Sequence, residues 1–392
     1  MFPWLHVNVT PKGDIYPCCS NDYSDPIDNT SNTTLEQAIN HPKMKQLRLN
    51  MLSETKSSIC DFCYKHEQAG PHSFRNYSKD NFAKYFDELI PQTQEDGTIK
   101  DFKMRYFDIR FSNICNFKCR TCGSEFSSQW AKENKKYDKN MKILWQAGHG
   151  KNNLLNEVLS HIDHIDLAYF AGGEPLITEE HYIMLEEMIR KGRTDIVLRY
   201  NTNASNLKYK NYDVIALWKH FKKIELSCSI DHFGERAEWI RNGTDWAIVE
   251  SNLKLFRNLY HIDFQINTVL SIFNYVTLTE FYTYMLEKDL MRDDDWYHSL
   301  YLAVHPFYYS AKSLPTKLKT AATKSLLDFA EICQGTLYNR LSTDATKFAQ
   351  EDDLWHKSKE TFWMHTNSID KLRGEDFLKT FPELTELTEL KD

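Results

Sequence analysis

Cys115-Asn116-Phe117-Lys118-Cys119-Arg120-Thr121-Cys122 is the stretch that decides how the rest of this chain is read. It brings three cysteines into eight residues. The segment leading into it, Arg105 to Ser112, alternates Phe107, Ile109 and Phe111 with Asp108, Arg110 and Ser112. That period of two predicts a half-buried strand with one apolar and one polar face, so the cysteines lie on the loop leaving its C-terminal end. Thiolates are soft ligands suited to iron-sulfur clusters or zinc, and three of them leave one coordination position of a four-iron cube open. Spacing alone also admits a structural zinc site completed by a histidine such as His149 or by a fourth cysteine, although zinc pairs usually read C-x2-C twice.

Length and composition narrow the setting. A chain of 392 residues is long enough for one large α/β domain and a smaller one, and 41% hydrophobic residues can build a core. A net charge of −7 gives no basic excess to track a phosphate backbone, which argues against nucleic acid as a partner. No apolar run reaches the ~18 to 20 residues of a membrane span, and Met1 to Val9 lacks the regions of a signal peptide. A cytoplasmic protein with no membrane partner is expected. The nine cysteines bunch as an adjacent pair, a C-x2-C and a C-x3-C-x2-C, which in a reducing compartment reads as metal ligation.

Upstream of the central loop, residues 1–100 read as a cysteine-bearing module. Trp4 to Val9 predicts a short strand, and Pro11-Lys12-Gly13-Asp14 a turn, so that a hairpin delivers Cys18 and Cys19. Helices are expected from about Thr34 and over Met44 to Met51, ahead of Cys60 and Cys63. The polar stretch Pro91 to Lys100 reads as a linker. Strands and helices then alternate to about Pro306, with strands at Arg105 to Ser112, His164 to Ala171, Ile196 to Asn203, Lys223 to Asp231, Phe264 to Leu270 and Leu300 to Pro306. Such alternation predicts βα units and a parallel sheet. Helices capped by Thr178 and stopped by Gly192, and from Trp246 to Leu259, lie between them. Beyond Pro306 come a long helical run, Leu318 to Leu341, and a tail of alternating charge that is expected to form a helical lid or brace.

The C-x3-C-x2-C of Cys115, Cys119 and Cys122 resembles the signature of the radical S-adenosylmethionine (SAM) superfamily, with Thr121 standing where that family usually has an aromatic residue. The resemblance implies a partial (βα)6 TIM-like barrel of α/β class. It also implies a 4Fe-4S cluster on the three thiolates, with SAM chelating the fourth iron. An electron passed through that cluster would cleave SAM to methionine and a 5′-deoxyadenosyl radical, which takes a hydrogen atom from substrate. Gly13-x4-Cys18 and the string Cys60-x2-Cys63-x3-Glu67-x2-Gly70-x2-Ser73-x-Arg75 are similar to the SPASM and twitch modules that carry auxiliary clusters. In that family the module usually follows the barrel, whereas here it comes first. Carried over, the ligands of a second cluster are Cys18, Cys60 and Cys63, with Cys19 the natural fourth, although adjacent side chains on extended backbone point to opposite faces.

The same resemblance places SAM contacts at strand ends. Gly172, Gly173 and Glu174 would grip the amino group, and Thr121 would lie near the adenine. Arg241 would pair with the carboxylate. Asn203, Ser229 and Asp231 would complete the site, with Asn267 and Val269 where adenine and ribose are met. Such positions are where parallel α/β folds bind ligands. The expected domains are 1–100 for the auxiliary module, 101–312 for the barrel and 313–392 for a helical extension. The expected activity is a radical SAM oxidoreductase acting on a peptide or small molecule, served by an electron donor such as flavodoxin or ferredoxin. The alternatives are a zinc-stabilised binding protein without catalysis and an epimerase using Cys228 as hydrogen donor; the parity of that residue puts it on the helix-facing side.

Overall fold

Each of the six apolar runs between residues 106 and 302 becomes a strand of four to nine residues. The computed structural model describes every residue except 69, 71, 149–152, 293–298, 334, 350–352 and 390–392. By its internal contacts the chain divides into two compact units. The first comprises Met1–Ile114, Lys135–Tyr200 and Lys208–Ile224, and the second Cys115–Asn134, Asn201–Leu207 and Glu225–Asp392.

The strands of the first unit are β1 (Asn8–Val9), β2 (Asp14–Tyr16), β3 (Asp28–Asn29), β4 (Tyr106–Ile109), β5 (Leu167–Phe170) and all but the last two residues of β6 (Val197–Thr202). Their order is β3-β2-β1-β4-β5-β6. The expected hairpin is present, with β1 antiparallel to β2, and β4, β5 and β6 pair in parallel. Unforeseen was that β1 also pairs in parallel with β4, Asn8 opposite Asp108, so the N-terminal hairpin extends the sheet. Two sequence expectations are corrected here. Phe2–Leu5 is a helical turn, since Pro3 at its start suits the first turn of a helix, and only Asn8–Val9 is extended. Strand β4 is buried throughout, Asp108 with 0% exposure, because its polar face is covered as well as its apolar one.

The stretch 91–100 is tied down by side chains. Buried Arg48 donates from Nε to Gly97 O at 2.7 Å and from Nη1 to Pro3 O at 2.7 Å, and Asn40 Nδ2 donates to Ile99 O at 2.8 Å. Thr34 caps the helix Leu35–Ile39 with a reciprocal capping box to Gln37, as its position predicts. Thr178 makes no such cap on Glu179–Arg190; its hydroxyl instead donates to Glu174 O at 3.1 Å.

In the second unit β7 (Ile224–Ser229), β8 (Ile262–Leu270) and β9 (Ser299–Leu302) follow, with β7 beside β8 and β9 parallel to β8. Along β8, Ile262, Phe264, Ile266, Thr268 and Leu270 are buried while Gln265, Asn267 and Val269 are more open, which is the parity read from the sequence. The helical run after Pro306 is two helices, Thr316–Ile332 and Gly335–Ala349, broken where Cys333 takes extended dihedrals. The tail helix Trp355–Arg373 ends at Gly374, whose φ of 68° is the left-handed cap geometry glycine favours. No helix among the described residues is long and apolar enough to cross a membrane.

Candidate functional site

Lys118–Cys119 forms a two-residue antiparallel ribbon with Arg241–Asn242, in which Arg241 lies opposite Cys119. The register therefore brings the Arg241 guanidinium to the cysteine, Nη1 at 3.7 Å from Sγ. On its other edge Nε is 2.8 Å from Asp231 Oδ2. The second oxygen of Asp231 accepts from Val269 N at 2.8 Å, so this buried carboxylate orients the arginine and fixes the end of β8 together. Asn203 Nδ2 donates to Asn116 Oδ1 at 2.9 Å, and Asn116 Nδ2 to Ser205 Oγ at 2.9 Å, tying the cysteine loop to the segment after β6. Asn267 carries a buried Oδ1 without a hydrogen-bond partner among the described residues. Ser229 and Thr121 are half-buried.

Two thiols of this loop are raised by their surroundings. Burial pushes the Cys119 thiol up, against the opposing charge of Arg241, and pushes Cys122 up to about 12, with Cys119 adding. Bare thiols in such a place are poor nucleophiles, whereas a bound metal deprotonates its ligands outright. Three soft donors on one loop, beside a guanidinium fixed by a carboxylate, fit an iron-sulfur cluster with one iron left open.

Gly172, Gly173 and Glu174 belong to the first unit and pack on the end of the β4 strand segment. Gly172 has a φ of 123°, and a Cβ on Gly173 would stand 2.0 Å from Ile114 O, so neither position accepts a side chain. Glu174 N donates to Ile114 O at 2.7 Å, and its 2% exposed side chain accepts from Leu176 N at 3.1 Å. The glycine pair thus serves close backbone approach, with the carboxylate placed by the turn that follows.

The N-terminal cysteines come from two segments of the first unit. Cys18 follows β2, Cys60 ends the turn Ser58–Cys60, and Cys63 lies in the first turn of the helix Asp61–Gln68. Cys18, Cys60 and Cys63 line one cavity of about 680 Å³ together with Tyr64 and Arg75. Cys19 lines a different cavity, of about 690 Å³, with Asp61 and Phe62. Burial pushes Cys18 well above its ordinary value, with Cys19, Cys63 and Cys60 adding. Cys60 is pushed up to about 11 by burial and then by Cys63. Cys19 rises to about 12 by burial and then by Asp108. The two thiols have different neighbours, Cys18 the C-x2-C pair and Cys19 Asp108 and Arg110, although the backbone here is a bend and a turn after β2 and not the extended chain expected.

Glu67, Ser73 and Arg75 bond to one another. Arg75 forks onto both Glu67 oxygens, Ser73 Oγ donates to Glu67, and the same hydroxyl accepts from Asn76 N at 3.1 Å to cap the next helix. Arg75 also covers the Tyr64 ring, 5.2 Å from its centroid. Among the described residues no three His, Cys, Asp or Glu side chains converge to hold a single metal ion, and His149 lies outside the described residues. Cys228 is fully buried, as its parity implies.

Residues 109–283 match the family model of the radical SAM superfamily, and residues 1–64 that of an iron-sulfur cluster-binding domain of the SPASM type. The chain carries a radical SAM domain. With it come the partial (βα)6 reading of the six strands, a 4Fe-4S cluster with SAM, and a further iron-sulfur cluster for the N-terminal domain. Similar solved structures include His6-tagged anSMEcpe with bound AdoMet, at 22% identity over 55% of this chain and 57% of that one, TM-score 0.39. Native anSMEcpe with bound AdoMet matches at 20% identity over 63% of each chain, TM-score 0.40. Streptococcus suis SuiB bound to precursor peptide SuiA matches at 14% identity over 67% of this chain and 52% of that one, TM-score 0.37. The match spans under two thirds of each of these three chains. No curated protein matches.

Sequence reasoning missed several residues around the radical SAM domain's cysteine loop. Arg120 and Trp130 hold the loop, and Asp370 and Glu375 reach it from the tail helix and the turn after it. Arg120 occupies a variable position of the motif, and its carboxylate partners are some 250 residues away in sequence, the separation being 250 to Asp370 and 255 to Glu375. No local pattern connects them.

Proposed function

We propose that the chain is a radical SAM enzyme in which Cys115, Cys119 and Cys122 hold the 4Fe-4S cluster. In this reading Arg241 receives the SAM carboxylate; the amino-group role of Gly172, Gly173 and Glu174 is carried by the sequence resemblance. Thr121, Asn203, Ser229, Asn267 and Val269 border the remainder of the cofactor. Asp231 acts by aiming Arg241, since both its oxygens are engaged. The observation that carries the proposal is the ribbon register that sets a carboxylate-oriented guanidinium against Cys119. A planar fork suits a carboxylate, and lysine would not replace it.

When bound, the cofactors supply a 5′-deoxyadenosyl radical that removes a hydrogen atom from substrate. The protein's part is to bind, orient and exclude water. Cys18, Cys60 and Cys63 are assigned to the second cluster. Cys19 is placed outside this set, because it lines the other cavity and its charged neighbours are Asp108 and Arg110. Three protein ligands leave one iron open, which suits an anchor or an electron acceptor for substrate in a net oxidation. Residues 1–100, 101–312 and 313–392 are the corresponding functional divisions. The substrate is a peptide or a small molecule, and the electron donor a flavodoxin or ferredoxin. The bunching of the cysteines into an adjacent pair, a C-x2-C and a C-x3-C-x2-C supports metal ligation in a reducing, cytoplasmic setting. Anaerobic reconstitution with iron and sulfide, then dithionite and SAM, should yield 5′-deoxyadenosine; a protein that loads iron on the loop cysteines yet never cleaves SAM contradicts the proposal.

A further inference from the structure

Arg120 stands between two of the loop cysteines and is 1% exposed. Its Nη2 donates to Asp370 Oδ1 and to Glu375 Oε2, and its guanidinium lies 3.7 Å from the centroid of the Trp239 ring. The remaining oxygens of the two carboxylates are also used. Asp370 Oδ2 accepts from Phe377 N at 2.7 Å, and Glu375 Oε1 from Asn242 Nδ2 at 2.6 Å, on the strand that pairs with the cysteine loop.

A second arm grips the neighbouring residues. Arg373 Nη2 donates to Glu133 Oε1 at 2.8 Å, and Glu133 Oε2 accepts from Lys118 Nζ at 2.7 Å. Arg373 also covers the Trp130 ring at 4.7 Å, and Trp130 Nε1 donates to Cys119 O at 2.7 Å. Three consecutive loop residues, Lys118, Cys119 and Arg120, are thus each held by a side chain of the tail segment or by one it contacts. All of these groups belong to the second unit.

We propose that Arg120, Asp370 and Glu375 form a buried clamp through which the tail helix positions the cysteine loop and sets its electrostatic environment. The inference rests on the assignment of Cys115, Cys119 and Cys122 made above. Arg120 with Asp370 and Glu375 carries one net negative charge, and Arg373 and Lys118 with Glu133 one net positive charge, so the network around the loop is balanced until a member is removed. Charge and hydrogen bonding around the ligands tune the potential of a cluster, because reduction adds an electron that a nearby anion opposes. Arg120, Asp370 and Glu375 are positioning residues and touch neither SAM nor substrate in this proposal.

The test uses the full chain, reconstituted anaerobically, with Asp370→Asn, Glu375→Gln and Arg120→Met as separate variants. A redox titration follows the electron paramagnetic resonance signal that changes when SAM is added, which selects the barrel cluster. Removing either carboxylate charge should move its midpoint potential upward, and removing the arginine should move it downward. In the metal-free variants, amide hydrogen exchange over residues 115–123 should quicken by about tenfold or more, as local opening becomes easier. A merely structural contact would speed exchange without giving potential shifts of opposite sign. If Arg120→Met does not fold, the two isosteric carboxylate variants still decide, since unchanged or lowered potentials in both overturn the clamp. An unaltered chain with no SAM-responsive signal overturns the cysteine assignment and the clamp with it. A normal signal that the variants leave unshifted overturns the clamp alone.

Discussion

The two cysteine groups of this protein are built in opposite ways. The loop group is local, its three thiols within eight residues, with a guanidinium 3.7 Å from one sulfur and buried ion pairs bracing the backbone between them. The N-terminal group is assembled from a strand end and a helix start, around a cavity of about 680 Å³. One site is defined by its own backbone and the other by packing. In the proposed function the loop group serves SAM and the N-terminal group serves the substrate.

Removing the loop ligands should have the largest effect. Replacing Cys115, Cys119 and Cys122 together by Ala should abolish 5′-deoxyadenosine formation and remove about half the iron, because three thiolates hold one cube. Persistent SAM cleavage by that variant would collapse the distinction between the groups. Next comes Cys60→Ala with Cys63→Ala, which should leave SAM cleavage without substrate intact and stop product formation. If the N-terminal group is a structural zinc site, the same variant loses folding energy and becomes insoluble. Arg241→Lys should weaken SAM binding roughly ten- to a hundredfold, the worth of a charge-assisted fork, with iron content unchanged. Equal affinity, measured by equilibrium binding, would take Arg241 out of the site.

Acid sharpens the comparison of the scaffolds. Burial pulls His6 down to about 4 and His181 to about 3 in the first unit, and His232 to about 3 in the second. The unfolded chain takes a proton on each imidazole near 6.5 while the folded chain refuses it until lower pH. Stability is therefore fully present above about pH 6.5 and falls on acidification by about 1.4 kcal/mol per pH unit for each histidine, down to its folded value. His6→Gln should flatten that slope in urea titrations of the metal-free chain. Parallel curves for variant and parent would refute the neutral buried state. The smallest effect is expected at Cys19, where Ala should leave the iron content unchanged although Cys18→Ala lowers it.

How much was legible follows from the same contrast. Strand positions were readable because β6 and β8 alternate over six and nine residues, and the loop ligands because they share one short motif. Gly173 was readable only as a motif letter; its physical reason, the Ile114 carbonyl 2.0 Å from any Cβ, needs the fold. The pairing of β1 with β4 was not readable, since two-residue strands carry no periodicity. The burial of Asp108 was hidden for the same reason, because alternation marks two faces without saying that both are covered. The role of Arg120 rests on partners in the tail, and a buried ion pair leaves no signature in local sequence.

The most direct test of the central claim is a count of metal by group. The anaerobically reconstituted chain should hold about eight irons with matching sulfide, as two cubes require. About four should remain when either Cys115, Cys119 and Cys122 or Cys60 and Cys63 are replaced by Ala. Zinc in place of iron, or iron content indifferent to one of the two groups, would contradict the account.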